Sequence, residues 1–247
     1  MARASFRDRA VVVRSYDFGE ADRVIVLLTE HHGLVRGVAK GVRRAKSRFG
    51  SRLQLFVDLD VNLYPGRNLY TITQADTVRF FGAGIIDDYE SYTAACAVIE
   101  SAERLAHSDP GGDPYLYRAV ITALQRLQDA DEPTLVLDEF LLQAMAHAGW
   151  APRLFECAAC GAPGPHHAFH PAVGGAACHA CRPPGAAEID PESLHLMWLL
   201  SRGADDAVAE LAANAPHLVG EAHQLTRAHV QWHIEHRVAA LSVMDQS

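Results

Sequence analysis

Apolar and polar side chains alternate over residues 53–64. Leu53, Leu55, Val57, Leu59, Val61 and Leu63 are separated by Gln54, Phe56, Asp58, Asp60 and Asn62, and Tyr64 closes the run. A period of two over these 12 residues predicts one long strand with a buried and an open face, stopped by Pro65-Gly66. Residues 11–16, 22–30, 34–40 and 69–76 read as further strands, with His32-Gly33 and Gly66-Arg67-Asn68 as turn chemistry. Five short or curved strands in about 80 residues suit a small Greek-key barrel of the OB type. An SH3-like barrel is the alternative that strand count leaves open.

After Gly84 the period changes to 3.6. Tyr92, Cys96, Ile99, Ala102 and Leu105 share one helical face. Tyr117, Val120, Ile121, Leu124 and Leu127 make another, behind the breaker Asp109-Pro110-Gly111-Gly112. A third helix starts near Pro133 and runs to Gly149. Helices resume at Asp190-Pro191, and the last runs from about Pro216 into Val243. The fold class expected is therefore α+β and multidomain. An OB-type barrel over residues 1–80 precedes an all-α helical domain over residues 81–247, with an insertion at about 153–185.

That insertion holds four of the five cysteines, spaced Cys157-x2-Cys160-x17-Cys178-x2-Cys181. Two Cys-x-x-Cys knuckles at this distance form the tetrathiolate zinc pattern, because each knuckle turns two sulfurs toward one point. Gly161, Pro163, Gly164, Pro165, Gly174 and Gly175 make the connection a loop with too few apolar residues to hold itself together without metal. A redox dithiol occurs once, at the opening of a helix, and two disulfides suit an oxidising compartment. One structural Zn2+ per chain is expected, closed by four sulfurs and holding shape only. His166, His167, His170 and His179 are alternative ligands that a filled shell does not need. Cys96 falls on an apolar helical face and reads as core.

Charge separates the same two halves. Residues 1–80 carry 14 Lys and Arg against 8 Asp and Glu, a net of +6, while residues 81–247 carry 8 against 22, a net of −14. The overall −8 hides this. Arg36, Lys40, Arg43, Arg44, Lys46, Arg48 and Arg52 lie within 17 residues that contain no acid. They sit between strands among Gly37, Gly41, Gly50, Ser47 and Ser51, a composition that lets backbone amides and guanidinium forks approach phosphates together. All seven are candidate phosphate contacts, with Arg36 and Arg52 the outer ones. Phe49, Tyr64 and Tyr70 are candidate stacking residues.

Several function classes are disfavoured. No Gly-x-x-x-x-Gly-Lys-Ser/Thr for ATP, no Gly-x-Ser-x-Gly elbow and no His-Glu-x-x-His occur. His229, His233 and His236 share a helical face and read as a solvated histidine-rich helix. No run of 18 apolar residues and no secretory signal at the N-terminus point to a cytoplasmic protein without a membrane span.

The chain resembles the RecO family of DNA-repair and recombination mediators. In the barrel the resemblance rests on Asp22-Arg23-Val24-Ile25-Val26-Leu27-Leu28-Thr29, Gly33, Ala39-Lys40-Gly41 and Lys46-Ser47-Arg48. Later it rests on Gly149-Trp150-Ala151-Pro152 before the first knuckle and Gly174-Gly175 before the second. It implies a non-enzymatic, nucleoid-associated protein that binds single- and double-stranded DNA through the barrel and anneals complementary strands. It also implies contact with the acidic C-terminal tail of the single-stranded-DNA-binding protein and, together with RecR, help in loading RecA onto coated DNA. A zinc-ribbon transcriptional regulator is the other reading that pairs a basic module with zinc. The lack of a recognition helix in the barrel counts against it.

Overall fold

The computed structural model describes residues 4–106 and 111–234. Five strands, β1 (Phe6–Phe18), β2 (Asp22–Thr29), β3 (Gly33–Ala39), β4 (Val57–Tyr64) and β5 (Tyr70–Phe80), close a barrel in the order β1-β2-β3-β5-β4. β1 returns antiparallel onto β4, and the seam between β3 and β5 is parallel, joined at Gly37–Tyr70 and Val38–Thr71. That order is the OB arrangement. Val12, Ile25, Leu27, Leu59, Val61, Leu63 and Ile72 fill the interior. A Cβ on Gly37 would lie 2.8 Å from the Ile72 side chain, which explains a glycine in mid-strand.

The alternating run differs from its expected form. β4 begins at Val57, not Leu53, and residues 53–56 are turn and bend. Phe56 is the break: its φ of +64° lies in the left-handed region, at a cost of about 1–2 kcal/mol for a residue with a Cβ. Burial of its ring, edge-on to Tyr92 at 5.6 Å, offsets that cost. Leu53 is buried as well, but as part of a lid over the barrel core and not as a strand residue.

The outer face of the barrel is covered by α2 (Tyr89–Leu105) and α3 (Pro114–Leu127), which follow a single turn, α1 (Gly82–Ile85). Each long helix has an aspartate cap: Asp88 accepts the Ser91 N–H at 2.7 Å and Asp113 that of Leu116 at 3.0 Å. A β-bulge between Val12 and Arg14 lets Val11, Val12 and Val13 all be buried, between core and helices. The "open" face of β4 is also closed. Asp58 is buried and accepts the Tyr117 hydroxyl at 2.6 Å and the Arg9 guanidinium. Burial and the neighbouring carboxylate push the Tyr117 phenol upward.

By compactness the chain divides into Met1–Ala130 and Asp131–Ser247. The second unit packs α4 (Pro133–His147), α5 (Pro191–Arg202), α6 (Asp205–Asn214) and α7 (His217–His233) around Leu142, Leu194, Met197, Leu200 and Leu225. The insertion carries a small sheet of β6 (Ala168–His170), β7 (Gly175–Ala176) and β8 (Ala187–Glu188), ordered β7-β6-β8. Its Phe169, Ala176 and Leu154 belong to the same core as the helices. α6 has no counterpart among the expected elements, since Val208 is its one buried residue. The stretch of the last helix expected beyond 234 lies outside the described residues.

α7 also corrects the reading of a solvated histidine face. His229 is 2% exposed and its Nε2–H donates to the Trp150 carbonyl at 2.8 Å, while His233 stacks on the Trp150 ring. His223 meets the buried carboxylate of Asp138 at 2.9 Å. Periodicity places His229 and His233 on one side of a helix, with His223 off that spacing, but it does not reveal that the turn after α4 folds over that side. Burial lowers the His229 imidazole to about 4, against the upward pull of its bond to Trp150. A base held neutral in the fold stabilises fully above its unfolded pKa near 6.5 and loses that contribution as pH falls toward about 4. The loss should reach roughly 3 kcal/mol. Urea unfolding of wild type and His229→Gln at pH 7 and pH 4.5 should therefore show a shallower acid loss in the variant. Equal losses would rule out His229 as the group responsible.

Candidate nucleic-acid interface and metal centre

The basic loop between β3 and β4 is a series of turns pinned to the barrel. Arg44 N–H donates to the Gly41 carbonyl at 3.1 Å, Ser47 N–H to Arg44 at 2.9 Å and Arg52 N–H to Phe49 at 3.1 Å. Phe49 and Leu53 insert into the barrel core, at 2% and 3% exposure. The loop is also tied to the β1–β2 hairpin. Asp22 Oδ1 accepts the Gly41 N–H at 2.7 Å, Ala21 the Arg43 N–H at 3.0 Å, and Asp17 the Arg43 guanidinium at 3.3 Å.

With its apolar residues turned inward, the loop exposes its cations. Lys40, Arg43, Arg44, Lys46, Arg48 and Arg52 all face solvent, and Arg36 is exposed on β3 opposite Val26. The first six share one loop; Arg36 stands apart on a strand. The stacking candidates fare differently. Phe49 is core, with the Arg48 guanidinium 4.8 Å from its ring centroid, and so offers no open face. Tyr70 is half-buried edge-on to Phe6 at 5.3 Å. Tyr64 is 60% exposed at the end of β4, in one row with Thr71 of β5 and Val38 of β3.

The four cysteine sulfurs converge within 4.8 Å of one another. Backbone bonds set each knuckle: Gly161 N–H donates to Cys157 at 2.8 Å and Cys181 N–H to Cys178 at 3.1 Å. A tetrahedral ion with bonds of about 2.3 Å needs sulfur–sulfur edges of about 3.8 Å. Cys160 and Cys178 stand 3.8 Å apart. The thiols also compete for protons. Backbone N–H groups of Cys178 and Cys160 pull Cys157 down to about 6, whereas sharing protons with Cys160 and Cys178 pushes Cys181 up to about 12. Such a set ionises fully only around a cation, so the donors fit Zn2+. The histidine alternatives are not needed, and His166 Nε2 is bonded to the Ala162 carbonyl at 2.9 Å.

A second group, Asp8, Glu30 and His31, also brings ligand atoms within 4.8 Å. Its positions are filled by protein donors. Asp8 accepts Nδ1–H of His31 at 2.9 Å and of His32 at 2.7 Å, and Glu30 holds Arg118 at 3.0 Å. Burial pushes the Asp8 carboxyl up, but the donors of His32 and His31 outweigh it and hold it below the ordinary value. We read this group as a clamp on the β2–β3 turn.

Two family models match the chain: "Recombination protein O N terminal" over residues 1–81 and "Recombination protein O C terminal" over residues 86–242. The chain belongs to the recombination protein O, or RecO, family. It is therefore a DNA repair and recombination protein. The RecO-like motifs acquire physical roles in this fold. Asp22 of the first and Gly41 of the second meet in one hydrogen bond, which sets the loop on the barrel. Gly149, at φ +83°, ends α4 so that Trp150 can return its N–H to Met145 at 2.8 Å. Gly175, at φ +137°, passes so close to Arg153 that a Cβ would lie 2.2 Å from its carbonyl oxygen.

The second unit also holds a pocket of about 410 Å³, whose lining includes Leu142, Leu154, Phe155 and Trp198 together with Arg153, Glu156 and Arg202. Phe155 and Trp198 stay half exposed, edge-on at 5.6 Å. Arg153 also meets Glu156 at 3.3 Å. Among the described residues no helix is long and apolar enough to cross a membrane.

Proposed function

We propose that this protein is a recombination mediator without catalytic turnover, dividing its work near the boundary between the two family matches. Residues 1–80 bind DNA and bring complementary strands together. Residues 81–247, including the zinc module at about 153–185, receive partner proteins. The observation that carries the first part is the pinned loop with six exposed cations and no acid of its own. Such a loop tracks phosphates and releases counterions without reading bases. Lys40, Arg43, Arg44, Lys46, Arg48 and Arg52 are assigned as phosphate contacts, with Arg36 as an outlying one. Single- and double-stranded DNA both qualify as ligands. The test is anisotropy of labelled oligonucleotides of unrelated sequence across a salt series. A steep fall in log K with log salt, alike for every sequence, is expected. Binding that is absent or indifferent to salt would overturn the reading, and strong preference for one sequence would favour a regulator.

For the second part, the pocket joining Arg153 and Arg202 to Phe155 and Trp198 supports contact with the acidic C-terminal tail of the single-stranded-DNA-binding protein. An acidic chain with an apolar end needs this pairing of cations and apolar floor. A fluorescent peptide of that tail should bind about tenfold more weakly to Arg153→Glu/Arg202→Glu, and equal affinity would dismiss the pocket. Contact with RecR, and through it the loading of RecA, follows from family membership as a proposal. So do action in the cytoplasm at the nucleoid and a structural zinc held by Cys157, Cys160, Cys178 and Cys181.

A further inference from the structure

Two aromatic side chains stand exposed on β1 beyond the end of its pairing with β4. The pairing of β1 with β4 runs from Phe6 to Val11, while its pairing with β2 continues from Arg14 to Phe18. Residues 14–18 thus form an edge of the sheet, paired only with β2, which goes on to pair with β3 from Arg23. Tyr16 and Phe18 on it are 44% and 49% exposed. Being two apart on a strand, they point to the same face, about 6.6 Å from each other. Neither belongs to the barrel core.

This edge strand and the turn after it also anchor the basic loop. Asp17, between the two rings, turns to the other face and holds Arg23 at 3.0 Å and Arg43 at 3.3 Å. Ala21 and Asp22 at the hairpin end receive the N–H groups of Arg43 and Gly41. Of the acids nearby, Asp17 and Glu103 are paired with arginines, Asp22 accepts the Gly41 N–H, and Glu20 lies in the turn. Arg23 and Arg43 are therefore held on one face of this edge strand, and the two rings project from the other.

We propose that Tyr16 and Phe18 are a stacking platform for consecutive bases of single-stranded DNA whose phosphates lie on the basic loop. The proposal rests on the DNA-binding reading above and adds a preference to it. The rings are spaced at about twice the 3.4 Å rise of bases in a duplex. Only an extended strand with unpaired bases can seat one base on each. Stacking on aromatic faces is indifferent to base identity, which agrees with a ligand of any sequence.

The test compares Tyr16→Ala/Phe18→Ala and Tyr16→Trp/Phe18→Trp with wild type, by anisotropy on oligo(dT) and on duplex DNA across a salt series. The alanine pair is expected to bind oligo(dT) at least about tenfold more weakly, with an unchanged salt slope and duplex affinity within about twofold. The tryptophan pair is expected to retain wild-type affinity. Alanine variants that bind oligo(dT) like wild type, or that lose both ligands alike, overturn the platform. Charge reversal on the loop, measured alongside, separates this failure from failure of the DNA reading itself. If loop reversal abolishes binding and the alanine pair does not, the platform alone falls; if neither matters, the loop is not the DNA site.

Discussion

Reversal of Arg43, Arg44 and Lys46 to glutamate is expected to weaken single-stranded DNA binding by roughly a hundredfold to a thousandfold at moderate salt, with the fold intact. Each lost phosphate contact should also flatten the salt slope by about 0.7 for single strands. The effect is large because the change removes three contacts and sets three like charges against the phosphates. Damage to the fold should be small. Arg44 and Lys46 face solvent, and Arg43 gives up one exposed ion pair with Asp17, the kind that contributes about 0–1 kcal/mol. The loop is held by Phe49, Leu53 and backbone bonds from Gly41 and Arg43, and the substitutions remove none of these side-chain anchors or donors. Anisotropy gives the affinity and a thermal melt the fold. Wild-type affinity in a folded variant would remove these residues from the interface.

Cys178→Ser is expected to abolish zinc retention and to destabilise the whole second unit. A structural tetrathiolate site contributes of the order of 10 kcal/mol of metal-binding free energy, most of which acts as folding free energy. The damage is not confined to the loops, because Leu154, Phe169 and Ala176 of the insertion sit in one core with α4, α5 and α7. Metal released on denaturation should fall from about one equivalent to none, and the unfolding transition of residues 131–247 should broaden or disappear. A strong chelator applied to wild type should reproduce both changes more slowly. Full stability without zinc would make the cysteines dispensable to the fold. DNA binding by the barrel should survive either treatment, because the basic loop belongs to the other compact unit.

How far these features can be read from the chain depends on whether a local pattern has one structural solution or two. Cysteine spacing has one solution for four sulfurs, and alternation in residues 57–64 has one for a barrel strand. Residues 53–56 have two, since Leu53 and Leu55 keep the rhythm of a strand while serving as a lid, and only the left-handed Phe56 shows the break. Aromatic side chains raise a related difficulty. Phe49, within the cationic run, is buried, whereas Tyr16 and Phe18, which follow three valines on the same strand, are exposed. Exposure at a hairpin end depends on where the neighbouring strand stops pairing, and β4 leaves β1 at Val11. His229 misleads for the opposite reason: it is buried against Phe169 and bonded to the carbonyl of Trp150, 79 residues away in the chain.

The two plugs beneath the loop have a consequence for the thermodynamics of association. Ordering a free chain segment costs roughly 1–2 kcal/mol per residue in backbone entropy. A flexible stretch from Lys40 to Arg52 would incur that cost at each encounter with DNA. Here Phe49 and Leu53 are already seated in the barrel, so the loss is taken once, during folding. The arginines and lysines arrive with their spacing set, and attraction to phosphate is spent on holding the strand instead of shaping the protein.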